Sequence, residues 1–233
     1  MAAETAVLAS EDLWPIAAGV GVEASTVAVS IPGLSGSDPA LPVTVATVGG
    51  TAGQATVALV ARPRSSSSRR AAFALRTLAR WGVRRLVCLG EVGAVRADWV
   101  PGDVAVLRDH VNLLGENPLV GPHDPTFGPR FPDMTEAYDP ALAVRGSDAA
   151  AALGIRVRSA VYVALPGGAR VTLAESRMLA LIGADVVGST IVPEVIAARH
   201  LGMSVLGLGL VTQVCAEGVD RRSGLPDVEA VVS

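Results

Sequence analysis

The sequence predicts an α/β fold that forms one domain over residues 1–233, and three observations support this prediction. The composition is 50% hydrophobic but only 3% aromatic, which suits strands buried on both faces beneath Ala-rich helices. Runs of strand length that are rich in Val and Leu recur along the chain. Segments with the spacing of amphipathic helices separate several of these runs. A single hydrophobic core is sufficient at this length.

Short apolar runs bounded by Gly, Pro or charged residues are predicted to be strands. They cover residues 5–9, 43–49, 55–61, 84–90, 102–107, 159–165, 184–188 and 203–212. The run that ends at Gly90 leads into GEVGA, which we expect to be a glycine turn that contains Glu91. Ligands of α/β proteins bind at turns that follow the carboxyl ends of strands, so Glu91 is a candidate site residue.

The segments between these runs carry helix signals. Residues 68–81 place Ala and Leu on one face and Arg largely elsewhere, which predicts an amphipathic helix. In TLAESRMLALIG, Thr172 and Glu175 have the spacing of a capping box. In VPEVIAARHLG, Pro193 stands in the first turn and Gly202 at the end of a further predicted helix.

Charge and hydropathy exclude several classes of partner. The net charge is −3 with acids and bases intermixed, so no basic surface for nucleic acid or an anionic membrane is expected. The apolar stretches are shorter than the ~18 residues of a membrane span, and the N-terminus lacks the basic region of a signal peptide. We therefore expect a cytoplasmic protein that binds a small molecule.

The two cysteines and three histidines do not predict a metal site or a cofactor. Cys88 and Cys215 lie far apart in apolar runs and are expected to be buried free thiols. No paired Cys or His spacing suited to a metal ion occurs in the sequence.

The segment from Leu113 to Pro140 is expected to be a long, ordered, functional loop. It is dense in Pro and Gly, yet it contains Phe127, Phe131 and Tyr138, so it is too apolar for a flexible linker.

Two long motifs resemble the trimeric purine nucleoside phosphorylase family. They are GDVAVLRDHVNLLGENPLVGPHDPTFGPRFPDMTEAYD, from Gly102 to Asp139, and GADVVGSTIVPEVIAARHLGMSVLGLGLVT, from Gly183 to Thr212. With the segment between them, the resemblance covers roughly residues 50–215. It implies a nucleoside-phosphorylase fold, a mixed twisted β-sheet flanked by helices. It also implies a homotrimer with the active site at a subunit boundary, and relative to this family the C-terminal helix is expected to be truncated.

The resemblance implies that phosphate displaces a purine from a ribosyl carbon, but the motif positions that bind phosphate have changed. Ser10 remains in the first phosphate loop, where acids replace glycines. In the second, Arg62 and Arg64 stand for the family's arginine and histidine, and Thr190 replaces a serine hydroxyl. Glu91 takes the place of an alanine whose backbone N–H binds phosphate. A carboxylate there would exclude phosphate, pair with an arginine, act as a general base, or point into solvent.

The base and sugar positions differ as well. The family's Phe and Glu that bind the purine correspond to Arg170 and Val171, and its Met over the ribose to Ser189. Gln213 replaces the Asn that holds the base, and it is a longer amide with the same donors. The remaining candidates are the expected pocket walls, Tyr162 and Phe131, the latter reaching a neighbouring subunit.

The leading interpretation is a repurposed enzyme of this superfamily that acts on a nucleoside-like or secondary-metabolite substrate. Glu91, Gln213 and Arg64 are the candidate catalytic residues. The reaction is N-glycosidic hydrolysis, or cyclisation or isomerisation of a non-nucleoside, without strong phosphate dependence. One alternative is a genuine phosphorylase with an unusual phosphate site, and another is a non-catalytic homologue that binds a ligand or partner. Asp109 and His110 are interpreted as framework residues rather than a catalytic dyad.

Overall fold

The computed structural model describes residues 4–10, 24–29, 41–50, 53–62 and 68–216. The chain divides into two compact units. One contains residues up to 89, 116–137 and 193–205, and the other contains residues 90–115, 138–192 and those from 206 onward. The single domain expected from the sequence stays a prediction.

Strands and helices alternate along the described chain. The strands are β1 (Thr5–Ser10), β2 (Ala24–Val29), β3 (Leu41–Gly50), β4 (Gly53–Arg62), β5 (Arg85–Ala94), β6 (Val104–Asn112), β7 (Val157–Ala164), β8 (Val186–Gly188) and β9 (Ser204–Val214). The helices are α1 (Ser68–Arg80), α2 (Pro140–Ala152), α3 (Leu173–Leu181) and α4 (Val192–His200). Only the backbone is described in β2, in β3, in most of β4 and at positions 10, 69 and 70. The order of strands and helices confirms the predicted mixed α/β fold.

In the first unit, β1 lies between β4 and the first half of β5 and runs parallel to both. Strands β2, β3 and β4 continue from it as an antiparallel meander. Helix α1 carries its apolar residues on one face, and Ala72, Leu75 and Leu78 are at most 3% exposed. The amphipathic helix predicted from the sequence is therefore confirmed, and burial of each leucine contributes about 1.5–3 kcal/mol.

In the second unit, β8 pairs antiparallel with the second half of β5 and parallel with β7. Strand β7 runs parallel to β6, which pairs antiparallel with β9. A buried aliphatic cluster forms around these strands and α3. Its members are Val95, Val163, Leu179, Ala184 and Val187.

Local side-chain caps set the starts of two helices. The capping box predicted at α3 is confirmed, because Thr172 Oγ1 accepts the Glu175 N–H and the Glu175 carboxylate accepts the Thr172 N–H. Helix α2 begins at Pro140, and Asp139 accepts the backbone N–H groups of the next turn at 2.9 and 3.0 Å. Caps of this kind satisfy N–H groups that have no partner within the helix.

The segment between β6 and α2 contains no helix or strand in the described chain. Arg130 ties it together by donating to the carbonyls of Leu119 and Gly121 at 3.2 and 3.0 Å. The Phe127 ring packs beneath the guanidinium of Arg76, 4.8 Å from its centroid. These contacts hold the segment in place without regular secondary structure, and its functional role stays a prediction.

Gly207 in β9 is expected to tolerate no side chain. A Cβ there would lie 2.6 Å from Cε1 of Tyr138 and 3.0 Å from Cβ of Leu107, both of which are buried. Gly207→Ala should therefore lower the free energy of unfolding by about 1–3 kcal/mol, measured by urea denaturation. Gly167→Ala is the matched control, because its methyl group would meet only the exposed Ser189 side chain, at 3.3 Å. Equal stability of the two variants would contradict this packing.

Candidate functional site

The residues around Glu91 form a strand rather than the predicted glycine turn. Strand β5 continues to Ala94, and Gly93 and Ala94 pair with Val187 and Val186 of β8. The Ala94 carbonyl also accepts the N–H of Cys215 at 2.6 Å. The turn prediction was wrong because these tertiary hydrogen bonds outweigh the local preference of glycine for turns.

The glycines of this strand make room for neighbouring side chains. A Cβ at Gly90 would lie 3.0 Å from Thr190 Oγ1 and 3.1 Å from Cδ1 of Ile191. A Cβ at Gly93 would lie 3.0 Å from Cys215 Sγ and 3.3 Å from Gln213 Nε2. Thr190 and Gln213 therefore approach β5 closely, at Gly90 and at Gly93, which are three residues apart in the strand.

The pleat of β5 sorts these groups onto two faces. Successive residues of a strand point to opposite faces, so Gly90 and Glu91 face opposite ways, and Glu91 shares the face of Gly93. The exposure of β5 alternates accordingly, with Gly90 buried and Glu91 half-buried. The Glu91 side chain therefore lies on the face that Gln213 approaches, and Thr190 lies on the other.

Thr190 lies in a turn between β8 and α4 that is bound to Tyr162. The Tyr162 hydroxyl donates to the Thr190 carbonyl at 2.7 Å and accepts the Thr190 N–H at 3.1 Å. Tyr162 is 0% exposed. The Tyr162 hydroxyl is therefore occupied by the backbone of Thr190, and the predicted role of Tyr162 as a pocket wall stays a prediction. No feature of the sequence indicates this pair of hydrogen bonds.

The residues at the predicted base and sugar positions lie in the same unit. Arg170 and Ser189 are exposed, whereas Val171 is half-buried and packs against the aliphatic cluster. The valine therefore continues the apolar core and offers no polar atom to a base. A Cβ at Gly167 would lie 3.3 Å from the Ser189 hydroxyl, so the 165–168 turn borders the same surface.

The remaining predicted site residues belong to the other unit. Phe131 is 86% exposed, and the guanidinium of Arg130 lies 5.9 Å from its ring centroid. The side chains of Ser10 and Arg62, and the whole of Arg64, lie outside the described residues. Their predicted roles in binding phosphate stay predictions.

Asp109 contacts the backbone of β6, and His110 contacts Tyr138, which lies outside this strand. The register against β7 shifts between Leu107 and Asp109, so that Arg108 is the extra residue of a bulge. The Asp109 carboxylate accepts the His110 N–H at 2.8 Å, and His110 Nδ1 lies 3.2 Å from the Tyr138 hydroxyl. Burial lowers the pKa of His110, and the negative charge of Asp109 opposes this effect.

Neither a metal centre nor a membrane span is seen in the part of the chain that the structure describes. No group of three or more His, Cys, Asp or Glu side chains there could hold a metal ion. The rings of His123 and His200 lie 5.9 Å apart but form only a pair. None of the described helices is long and apolar enough to cross a membrane.

Comparison with known proteins places this fold and these motifs in a family. The sequence profile of the Phosphorylase superfamily matches residues 18–233. The chain belongs to this superfamily. It is 44% identical over 149 residues to purine nucleoside phosphorylase 1 of Geobacillus stearothermophilus, a match that covers 64% of this chain and 54% of the relative. It is 39% identical over 155 residues to purine nucleoside phosphorylase 1 of Bacillus subtilis, covering 66% of this chain and 57% of the relative.

Solved structures agree with this assignment. A purine nucleoside phosphorylase from Schistosoma mansoni in complex with adenosine superposes with a TM-score of 0.82 at 30% identity, covering 100% of this chain and 84% of that one. The same enzyme in complex with acetate gives a TM-score of 0.81 at 30% identity, covering 94% and 84%. The chain is a member of the purine nucleoside phosphorylase family. It spans about half the length of the curated relatives that it matches.

The folded state of this protein should be stabilised by the neutral form of His110. Because the folded-state pKa lies below the unfolded value of ~6.5, the unfolded chain binds a proton more readily as the pH falls. This contribution to stability is complete above about pH 6.5 and is lost as the pH falls toward the folded-state pKa.

His110→Gln should therefore reduce the loss of stability between about pH 7 and pH 5, as measured by urea denaturation at each pH. Stability at about pH 8, where both forms of the protein are neutral at this position, controls for altered packing. His200, whose pKa is lowered first by burial and then by Arg76 and His123, acts in the same direction and stays in the variant. An unchanged pH slope in the variant would show that His110 does not titrate in this way.

Proposed function

We propose that this chain cleaves the N-glycosidic bond of a nucleoside-like substrate. The observation that carries the proposal is the arrangement of β5, which sets the Gln213 amide against Gly93 on the strand face that also carries Glu91. A carboxylate and an amide on one face are suited to proton transfer and to holding a leaving base. Proteins named purine nucleoside phosphorylase, at 36–44% identity to this chain, support an enzyme of this type.

In this proposal Gln213 holds the base as it leaves. Its amide carries two N–H donors and one acceptor, so it can donate to a ring nitrogen that becomes more basic as the glycosidic bond breaks. Arg170 and Val171, at the positions expected to recognise a purine, offer an exposed cation and an apolar side chain instead. The substrate class is therefore wider than the common purine nucleosides and includes nucleoside-like secondary metabolites.

Glu91 supplies the general base, and water is the nucleophile. A half-buried carboxylate beside a substrate can remove a proton from water. It also opposes a phosphate dianion, because two like charges ~4 Å apart cost about 4 kcal/mol at an effective dielectric near 20. We therefore propose that cleavage needs no phosphate, or needs it only weakly.

A second candidate is phosphorolysis with an altered phosphate site. The hydroxyl of Thr190 lies against Gly90, on the face of β5 opposite Glu91, so phosphorolysis requires the nucleoside to bind on that face as well, away from Glu91 and Gln213. The relatives that carry the name purine nucleoside phosphorylase also favour this reaction. The anion-binding roles predicted from the sequence for Ser10, Arg62 and Arg64 belong to this candidate.

The subunit arrangement is part of the proposal. A large apolar side chain that is 86% exposed, as Phe131 is, is suited to a contact with another protein surface. We propose a homotrimer in which Phe131 completes a neighbouring pocket. Phe131→Ser should then raise KM for the nucleoside without lowering the stability of the subunit. A monomer in sedimentation equilibrium would contradict this arrangement.

Turnover of a nucleoside panel tests the reaction. Purine nucleosides and deoxynucleosides are incubated with the full chain, with and without saturating phosphate, and the products are identified by mass spectrometry. The proposal predicts free base and free sugar in both conditions. Sugar phosphate that forms only with phosphate would establish the second candidate, and no turnover of any member would contradict glycosidic cleavage of nucleosides.

Glu91→Gln separates the two candidates further. It should lower kcat of a hydrolase by ~10²-fold or more, because the general base is lost. In a phosphorylase that binds phosphate on the opposite face of β5, it should leave kcat and KM for phosphate nearly unchanged. Asp148→Asn, at an exposed position in α2, is the matched control and should change neither quantity. An unchanged kcat and an unchanged phosphate dependence in Glu91→Gln would remove Glu91 from the mechanism.

Gly93→Ala tests the placement of Gln213. The added methyl group would lie 3.3 Å from Gln213 Nε2 and 3.0 Å from Cys215 Sγ, so the amide must shift by a few tenths of an ångström. Misplacement of a catalytic group is costly, and kcat should fall by roughly 10-fold or more. Gly146→Ala in α2 serves as the control, since its methyl group would meet only the side chain of Leu206, at 3.1 Å. Wild-type kcat in Gly93→Ala would show that the amide does not act from this position.

A further inference from the structure

In the contact between Tyr162 and Thr190, one buried hydroxyl bonds both backbone polar groups of a single residue. The hydroxyl donates to the Thr190 carbonyl at 2.7 Å and accepts its N–H at 3.1 Å. Tyr162 is anchored in β7, is 0% exposed, and is paired in register with His110 of β6. The tyrosine therefore offers a rigid point of attachment for the turn that carries Thr190.

The turn adopts a backbone conformation that its sequence does not favour. Ile191 has φ 74°, and it is the one non-glycine residue with positive φ in the described chain. This conformation is strained for a β-branched side chain, and such strain persists only where the surroundings enforce it. The two hydrogen bonds to the preceding residue are contacts that can enforce it.

The neighbouring glycine fits the same arrangement. A Cβ at Gly188 would lie 2.6 Å from the Tyr162 hydroxyl oxygen and 3.2 Å from the Glu91 carbonyl oxygen. The absence of a side chain at Gly188 thus lets the tyrosine hydroxyl reach the turn. Strands β7, β8 and β5 lie side by side here. Loss of the Tyr162 hydroxyl would therefore remove two hydrogen bonds from the turn without breaking the pairing of these strands.

The hydroxyl of Thr190 lies where the turn directs it. Its Oγ1 is 3.0 Å from the position that a Cβ of Gly90 would occupy. Because the backbone of Thr190 is fixed on both its N–H and its carbonyl side, Oγ1 is held against Gly90. A rotation of the turn would remove Oγ1 from this place while the strands remained intact.

We propose that Tyr162 is a positioning residue, which holds the strained 188–191 turn so that the Thr190 hydroxyl contacts substrate or phosphate beside Gly90. The inference rests on the second candidate function, in which the Thr190 hydroxyl contacts phosphate, and it goes beyond that function by assigning a role to a residue that a ligand does not touch. Tyr162 acts only through Thr190.

A double-mutant cycle tests this role. Tyr162→Phe removes both hydrogen bonds while keeping the ring, Thr190→Ala removes the hydroxyl, and the third variant combines the two changes. Each single variant should change the same kinetic parameter, KM for phosphate or kcat/KM for the nucleoside, by roughly 10-fold. The double variant should be little worse than Thr190→Ala, because the tyrosine has no other route to the substrate.

Tyr138→Phe is the matched control. Tyr138 is also buried, at 4% exposed, and its hydroxyl lies 3.2 Å from His110 Nδ1 rather than near Thr190. Its loss should lower the melting temperature without changing the kinetic parameter that Thr190→Ala changes. A merely structural role for Tyr162 would give the same pattern as this control, or effects that add in the double variant, and either result would overturn the inference.

Hydrogen exchange of the peptide that contains residues 186–192 gives a readout that does not depend on activity. Tyr162→Phe should accelerate exchange in this peptide relative to wild type and to Tyr138→Phe, since the Thr190 N–H loses its acceptor. Unchanged exchange would overturn the inference even where the enzyme is active. Failure of the second candidate function gives a different result, in which Thr190→Ala has wild-type kinetics or no nucleoside is cleaved, while the exchange difference remains.

Discussion

The pleat of strand β5 between Gly90 and Ala94 is the constraint on which the candidate site depends. Hydrogen bonds to β8 and to Cys215 keep this segment extended, and an extended chain must alternate its side chains between two faces. One face then receives Thr190 and the other receives Gln213, because only glycine leaves room for them. A turn at this place would remove that separation.

The separation of the two faces of β5 determines on which side of the strand the Glu91 carboxylate can act. By resemblance to the purine nucleoside phosphorylase family, Glu91 occupies a position whose backbone N–H binds phosphate. The strand keeps the backbone at that position in place and directs the new carboxylate toward the face of Gln213. Under the proposed function, the framework would be retained while water replaces phosphate as the nucleophile. The Tyr162 contact holds the Thr190 turn whichever nucleophile is used.

The parts of the fold that could be predicted are those encoded by local spacing. The capping box at Thr172 and the apolar face of α1 follow from side chains a few residues apart, and the structure confirms both. Helix α2 was missed because it has no buried residue and therefore no apolar face. The turn prediction at Gly90 was wrong because it used local sequence alone. The glycines there make room for Thr190 and Gln213, which lie a hundred or more positions away in the sequence. Likewise, the bond between Tyr162 and Thr190 depends on the pairing of strands, which local sequence does not specify.

The most direct test of the two-faced strand is a crystal structure of the full chain with a nucleoside analogue whose glycosidic nitrogen is replaced by carbon, grown in the presence of phosphate. The base should lie within hydrogen-bonding distance of the Gln213 amide on the Gly93 face. Any bound phosphate should contact Thr190 Oγ1 on the Gly90 face. A base bound on the Gly90 face, or a phosphate bound beside the Glu91 carboxylate, would contradict the account.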